Sequence, residues 1–460
     1  DFLRSPLAGK AKPDRIAQIT YELAHTFGVP QPPSETAMQR GVAALEAFLK
    51  KFPQHKLAAK AQLEIAQTYI HFGRYDQAIE RLKQLIGQGG GEDEESIAQA
   101  RRVLGASYYA QKKFTEAIAA WKEFLEEHPS HSGWSDVQRQ VIGAEFQRAE
   151  EARIEKDYAT ARKLWSTFLN KYPLDERAAL ILLRFGQMNL DEGITWKEDE
   201  EKKSKEECEK HFEAAIADWK RLTQKYPNTA QASQAAYLIG VTLEDHLQRL
   251  SEALEAYKKV AGNYQNNAKL RINNLTAKQL EVLTERKFLS NEKPEIVVTS
   301  RNLEKVTIKM YRIDMADYFR KMHLATGVET LDIALIDPDK TWEYEIEGYE
   351  KYRRFTNKIP IPQNGPGVTA VTVSSEKQEA TTMLIVSDID IIVKTSRNEL
   401  FLFAENMRTQ KPAAGVSVLV SDGEKVFAEE ITGDDGVLQK SYEQLKTAND
   451  LRVFAIHEGH

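Results

Sequence analysis

A nine-residue phrase recurs along the first half of the chain: LEAFLKKFP at 45–53, WKEFLEEHP at 121–129, WSTFLNKYP at 165–173 and WKRLTQKYP at 219–227. Four positions before its opening large residue stands a small one. The small residues are Gly41, Ala78, Ala117, Ala161, Ala215 and Ala253; the large ones are Leu45, Leu82, Trp121, Trp165, Trp219 and Tyr257. Residues four apart share a helix face, so a neighbouring helix can approach at the small side chain and is met by the large one. Eight residues further on come Pro53, Pro129, Pro173 and Pro227, with Gly90 and Gln265 in the other two copies. Proline lacks the N–H that a continuing helix needs, so each phrase ends in a turn. The large residues lie 37, 39, 44, 54 and 38 positions apart, a period that marks stacked supersecondary units sharing one continuous core. The competing reading, a bundle of unrelated amphipathic helices, leaves the shared phrase without a cause.

A second helical stretch precedes each phrase. In IAQARRVLGASYYAQKKF, Leu104, Gly105 and Tyr108 come before Ala117, Trp121 and Pro129. This resembles the tetratricopeptide pattern W-x2-L-G-x2-Y, A-x3-F, P, with Arg101 in place of the opening tryptophan. LEIAQTYIHFGRYDQAIERL is a second good copy, carrying Ala66, Tyr69, Gly73, Tyr75 and Ala78. Residues 35–288 are expected to form an α-solenoid of about six such helix pairs, the first of them a possible half-repeat, after a helical lead-in over 1–34. Copy four departs from the pattern with Ala152 at the usual tyrosine, and copy six slips register by one residue. By analogy with tetratricopeptide proteins, a partner-binding groove would be lined by first-helix residues, for instance Lys60, Gln67, Arg102 and Tyr109; the plainer alternative is that these are solvated helix positions.

Copy five carries a charged insertion over 191–210. Its KEDEEKKSKEECEK places Glu and Lys at helical spacings, which suits a solvated helix running toward Trp219. Cys208 and His211 lie one turn apart there, but two ligands make no metal site and chance is the simpler reading. GQGGGEDEE (87–95) reads as an acidic, flexible loop.

Past residue 266 a last helical stretch, expected to reach 288 and cap the solenoid, gives way to period two. In EIVVTSRNLEKVTIKMYRID, Val306, Ile308 and Met310 alternate with Thr307, Lys309 and Tyr311, which reads as strands joined in a hairpin across RNLEK. MADYFRKM reads as a short helix. From 383 onward, seven apolar runs (MLIVSD, IIVKTS, ELFLFAEN, VSVLVS, KVFAEE, GVLQKSY, LRVFAIH) alternate with turns such as Asp422-Gly423 and Asp435-Gly436. The expected fold is therefore multidomain, all-α then all-β: an α-solenoid followed by immunoglobulin-like β-sandwiches at 289–382 and 383–460. The cysteine–tryptophan–cysteine core of a true immunoglobulin domain is missing.

The wording of 290–460 resembles the first two macroglobulin domains of bacterial alpha-2-macroglobulin-like proteins. The shared features are the VSD opening, a strand ending at Lys394, TQKPAAGVSV and ITGDDGV, preceded by PEIVVTSRNLEKVTIKMYRIDMADYFR. That family traps proteases: a bait is cut, the protein rearranges, and a thioester often captures the attacker. The EECEKH around Cys208 does not match the thioester motif, and no bait fits, so the resemblance implies either the N-terminal portion of a longer inhibitor, the favoured reading, or a reduced relative without trapping chemistry. It also implies export to the periplasm or cell surface. Nothing at Asp1 reads as a signal peptide.

Composition narrows the rest. A chain of 460 residues is too long for one core. A net charge of -6 without a basic block argues against nucleic acid. One cysteine excludes a disulfide framework, and no run reaches the ~18 apolar residues of a membrane span. No GxSxG, GxGxxG or phosphate loop occurs. HEGH (457–460) has the wrong spacing for a zinc helix, and DPDK (337–340) and GDDG (433–436) supply too few oxygens for calcium. No cofactor, metal or catalytic residue is expected. The expected function is non-enzymatic protein interaction within an endopeptidase inhibitor, with a protease or envelope protein as partner; the alternative is a cell-envelope scaffold using the sandwiches as spacers.

Overall fold

The computed structural model describes residues 12–88, 93–199, 204–322, 337–363, 365–448 and 450–459. Helices pair along the first half: α1 (Pro13–His25) with α2 (Glu35–Lys51), α3 (Ala58–His71) with α4 (Tyr75–Gln88), and α5 (Glu94–Ala110) with α6 (Phe114–Glu127). Then follow α7 (Trp134–Ile154) with α8 (Tyr158–Lys171), α9 (Ala178–Glu198) and α10 (Lys205–Lys225), α11 (Ala230–Val241) with α12 (Leu250–Lys258), and α13 (Gln265–Thr276). The chain falls into two compact units, Asp1–Leu222 and Thr223–His460. The last helix pair therefore belongs with the β-domains, where the expected boundary lay at 288.

The repeated phrase does what its spacing requires. Ala78, Ala117, Ala161 and Ala215 are fully buried, as are Trp165 and Trp219, and Trp121 is 2 % exposed. The Trp121 indole donates to the Arg102 carbonyl at 3.0 Å and Trp219 to that of Leu183 at 3.1 Å. Arg101, where the pattern has tryptophan, forms ion pairs with Glu123 and Glu127. Helices α2, α6, α8 and α10 stop two residues before Pro53, Pro129, Pro173 and Pro227. Before the first three prolines the backbone has already left helical torsions (φ -132°, -125° and -127°), since the proline ring disfavours αR there.

Two residues past these three prolines a side chain caps the turn. His55 Nδ1 accepts the Leu57 N–H, His131 Nδ1 that of Gly133, and Asp175 Oδ1 that of Arg177. Asp175 also takes the Arg177 guanidinium bidentately at 2.8 and 2.7 Å, and that guanidinium stacks on Phe146 and Phe168. The side-chain bonds from Arg177 hold the Asp175 carboxyl below its ordinary value of 3.8. A depressed carboxylate stabilises the fold above the unfolded value and loses that contribution as pH falls through the folded one. Asp175→Asn should therefore lower the melting temperature at pH 7, and the gap to wild type should close as pH falls below the ordinary carboxylate range. A gap independent of pH would show that the charge is idle.

Two expectations about the helices need correction, and a third gains its cause. The stretch before residue 35 is no lead-in: Ala17, Tyr21 and Ala24 of α1 pack with Met38, Leu45 and Phe48 of α2, completing the first pair. The last helix ends at Thr276, and β1 (Gln279–Leu283) follows inside the stretch read as helical. In copy six the one-residue slip is a π-helical turn over Thr242–His246, closed by the Leu247 N–H on the Thr242 carbonyl. The charged insertion lengthens α9 and α10 to 21 residues each, with 200–203 outside the described residues; part of the glycine loop, 89–92, lies outside them too.

The first sandwich sets a sheet of order β1-β2-β5 against one of order β4-β3-β6-β7, with β2 (Glu295–Arg301), β3 (Lys305–Ile313), β4 (Lys340–Glu345), β5 (Arg354–Pro360), β6 (Gly367–Ser374) and β7 (Glu379–Val386). Ile296, Val298 and Ile359 meet Val306, Ile308, Met310 and Val371 in its core. Strands β2 and β3 thus lie in different sheets and are not a hairpin. Asn302, at φ 55°, turns the chain from one sheet to the other. The MLIV of MLIVSD belongs to β7, paired with β6 as far as Val386, so the boundary expected at 383 would cut a strand.

The second sandwich begins with β8 (Ile389–Thr395). Strand β9 (Glu399–Asn406) pairs with β8, β10 (Lys411–Pro412) and β13 (Val437–Ser441), while β11 (Ser417–Ser421) lies between β12 (Val426–Ile431) and β14 (Arg452–Ile456). Leu400, Leu402, Val418 and Val420 form its core. Helix α14 (Met315–Met322) follows β3.

Candidate functional site

Seven residues separate Lys60 from Gln67 on α3 and Arg102 from Tyr109 on α5, so each pair shares a helix face. The structure treats the two pairs differently. Lys60 is exposed and Gln67 half-buried, and among the described residues neither is engaged in a hydrogen bond or ion pair. Arg102 lays its guanidinium against Gly133 at the start of α7. Tyr109 packs edge-on to Phe114 at 5.2 Å and lies 5.9 Å from Trp121, leaving 36 % of its surface exposed. Arg102 is therefore built into packing against the next repeat and Tyr109 into packing within its own helix pair, and replacing Tyr109 would cost stability as well as any binding.

A cluster missed in the sequence lies along α7 and α9. Glu150 accepts the Arg153 guanidinium at 3.0 and 2.7 Å, Arg184 stands 3.6 Å from the same carboxylate, and Arg184 donates to Gln187. The i, i+3 spacing of Glu150 and Arg153 was the available signal. Ile154, two-thirds exposed, ends the same helix.

Buried titratable groups elsewhere serve packing. Glu64 accepts the Tyr21 hydroxyl at 2.7 Å and lies 3.3 Å from His25, fastening α1 to α3; burial, then this bond, pushes the Tyr21 phenol up. Asp218 accepts from Arg162 and Asn189, joining α8, α9 and α10, and burial lifts its carboxyl above the ordinary range despite both donors. Cys208 is buried, whereas His211 stacks on Trp196 and lies 3.7 Å from Glu192, so the two do not converge on one point. In DPDK, Asp339 accepts the Arg312 N–H; in GDDG, Asp435 accepts that of Val437. His460 lies outside the described residues. Among them, no three His, Cys, Asp or Glu side chains gather to hold a metal, and no helix is long and apolar enough to cross a membrane.

Two clefts remain. One, of about 1120 Å³, runs past Lys50, His55, Lys56 and Arg81 in the first unit. The other, of about 420 Å³ in the second unit, is lined by Glu244, Gln248, Leu275, Arg301 and Tyr352.

The tetratricopeptide repeat family model matches residues 39–93, 63–132 and 210–268, and the chain carries repeats of this type. Copy four escapes those windows, and its Arg148, Ala149 and Ala152 stand where the pattern has leucine, glycine and tyrosine. No curated protein matches the chain. Among solved structures, the MG0-NIE-MG1 domains of Escherichia coli alpha-2-macroglobulin align at 14 % identity and TM-score 0.32, covering 39 % of this chain and 62 % of that one. The NIE-MG1 domains of the same protein align at 15 % and 0.31, covering 39 % and 94 %. The TPR2AB domain of yeast Sti1 in complex with pHSP90 aligns at 14 % and 0.27, covering 56 % and 97 %.

Proposed function

We propose that this chain is a non-enzymatic, exported segment of an alpha-2-macroglobulin-like endopeptidase inhibitor. Its tetratricopeptide repeats bind a protein partner, a protease or a protein of the cell envelope, and its sandwiches form the structural base. The observation that carries the interaction reading is the repeat match across three windows, because stacked helix pairs present one extended side-chain surface. The inhibitor reading is supported by TQKPAAGVSV and ITGDDGV in the second sandwich. The second reading is a cell-envelope scaffold with the sandwiches as spacers.

The binding face is tested at Lys60, which is exposed, and Gln67, which is half-buried on the same helix face. The partner is first identified by in-cell crosslinking to the whole chain and then purified. Lys60→Glu with Gln67→Glu should weaken its affinity about tenfold, some 1.4 kcal/mol, and leave the melting temperature unchanged. Undiminished affinity would remove this face from the reading. A crosslinked protease whose activity falls on binding supports inhibition, and an envelope protein without protease activity supports the scaffold.

A further inference from the structure

The two sandwiches are joined in sequence only by Ser387 and Asp388, which usually makes a flexible linker. Here the linker is fastened on both sides. The segment before β2 runs beside it: Phe288 donates its N–H to Ile385 and accepts that of Ser387, both at 2.9 Å. Lys287 reaches the Ile389 carbonyl and, at 3.0 Å, the Asp390 carboxylate. At the centre is Asp388, its side chain 5 % exposed. One carboxylate oxygen accepts the Ser290 N–H at 2.7 Å and the other the Ser290 hydroxyl at 2.6 Å. Arg408 of the second sandwich donates to that hydroxyl at 2.8 Å and stands 3.6 Å from the carboxylate. The Met407 N–H closes on the Asp388 carbonyl.

A second fastening lies elsewhere. Helix α14 leaves the first sandwich after β3, yet its fully buried Phe319 stacks on Phe454 of β14 with ring centres 5.3 Å apart. Arg320 pairs with Glu429 of β12. One attachment leaves a rotation axis, whereas two separate attachments remove it.

We infer that Asp388 is the pin, and α14 the clasp, of a locked joint that makes the two sandwiches one rigid lever, able to bend only when both are released. A load on one sandwich is then passed to the other without loss.

Spin labels at Lys377→Cys and Arg397→Cys in a Cys208→Ser background report the distance between sandwiches in the whole chain. The unaltered joint should give one narrow distance. Asp388→Asn, which turns an amide donor toward the Ser290 donors, should speed exchange of the Ser290 amide about tenfold. Combined with Phe319→Ala it should roughly double the width of the distance distribution. Near-ultraviolet dichroism checks that both sandwiches remain folded, and Ser290→Ala replaces Asp388→Asn should the latter not fold. A broad distribution in the unaltered joint overturns the inference. So does an unchanged width in the double variant once Ser290 exchange has accelerated.

Discussion

Gly105→Ala and Gly186→Ala should each destabilise the helical unit by about 3 kcal/mol, read as a lower denaturation midpoint of the helical signal. A Cβ on Gly105 would lie 2.3 Å from Trp121 Nε1, and one on Gly186 2.2 Å from Trp219 Nε1. Both indoles are wedged between helix layers and cannot retreat without leaving the Arg102 and Leu183 carbonyls to which they donate. Overpacking costs about 1–3 kcal/mol and the buried N–H left unmet about as much again, while alanine returns only about 1 kcal/mol of helix propensity. Copy four is a natural control. Ala149 stands at the equivalent position, fully buried, and among the described residues Trp165 Nε1 has no acceptor. Ala149→Gly should therefore cost no more than about 1 kcal/mol. If Gly105→Ala proved as mild, the wedge would not be what holds the layers together.

The same contrast shows what was legible beforehand. Ala117 and Trp121 are four residues apart on one helix, so their shared burial follows from local geometry, as does the turn after each proline. The slip in copy six was visible as a count: 16 residues separate Gly105 from Trp121, but 17 separate Gly240 from Tyr257, and the extra one is taken up in the π-turn. Non-local facts were hidden. Nothing in RNLEK tells a hairpin from a crossing between sheets, because the partners of β2 and β3 lie elsewhere in the chain. QLEVL could continue a helix until Arg301, Ser300 and Thr299 pair with it. At the candidate face, Lys60 is exposed and Gln67 half-buried. Arg102 and Tyr109 are packed, because what they meet, Gly133 and Trp121, is brought there by the following helices.

Asn302 makes three of the hydrogen bonds at the joint between the last helix and the first sandwich, and its removal is the second large effect. The Asn302 amide donates to the carbonyls of Leu275 and Ala277 and accepts the Tyr352 N–H at 2.8 Å, tying the end of α13 and the start of β1 to the loop before β5. Its own backbone is left-handed, at φ 55°, which asparagine tolerates and alanine does not. Asn302→Ala should lose three hydrogen bonds of about 1 kcal/mol each on top of a left-handed strain of about 1 kcal/mol, tempered by water at this half-exposed site, for a net loss of about 3 kcal/mol. Asn302→Gly loses the same bonds without the strain and should cost about 2 kcal/mol. The ordering carries the information. Equal losses would mean the backbone conformation relaxes freely, and a negligible loss in Asn302→Gly would mean the three bonds do not hold the joint, leaving Arg301, which donates to the Asn274 carbonyl, as the residue that does.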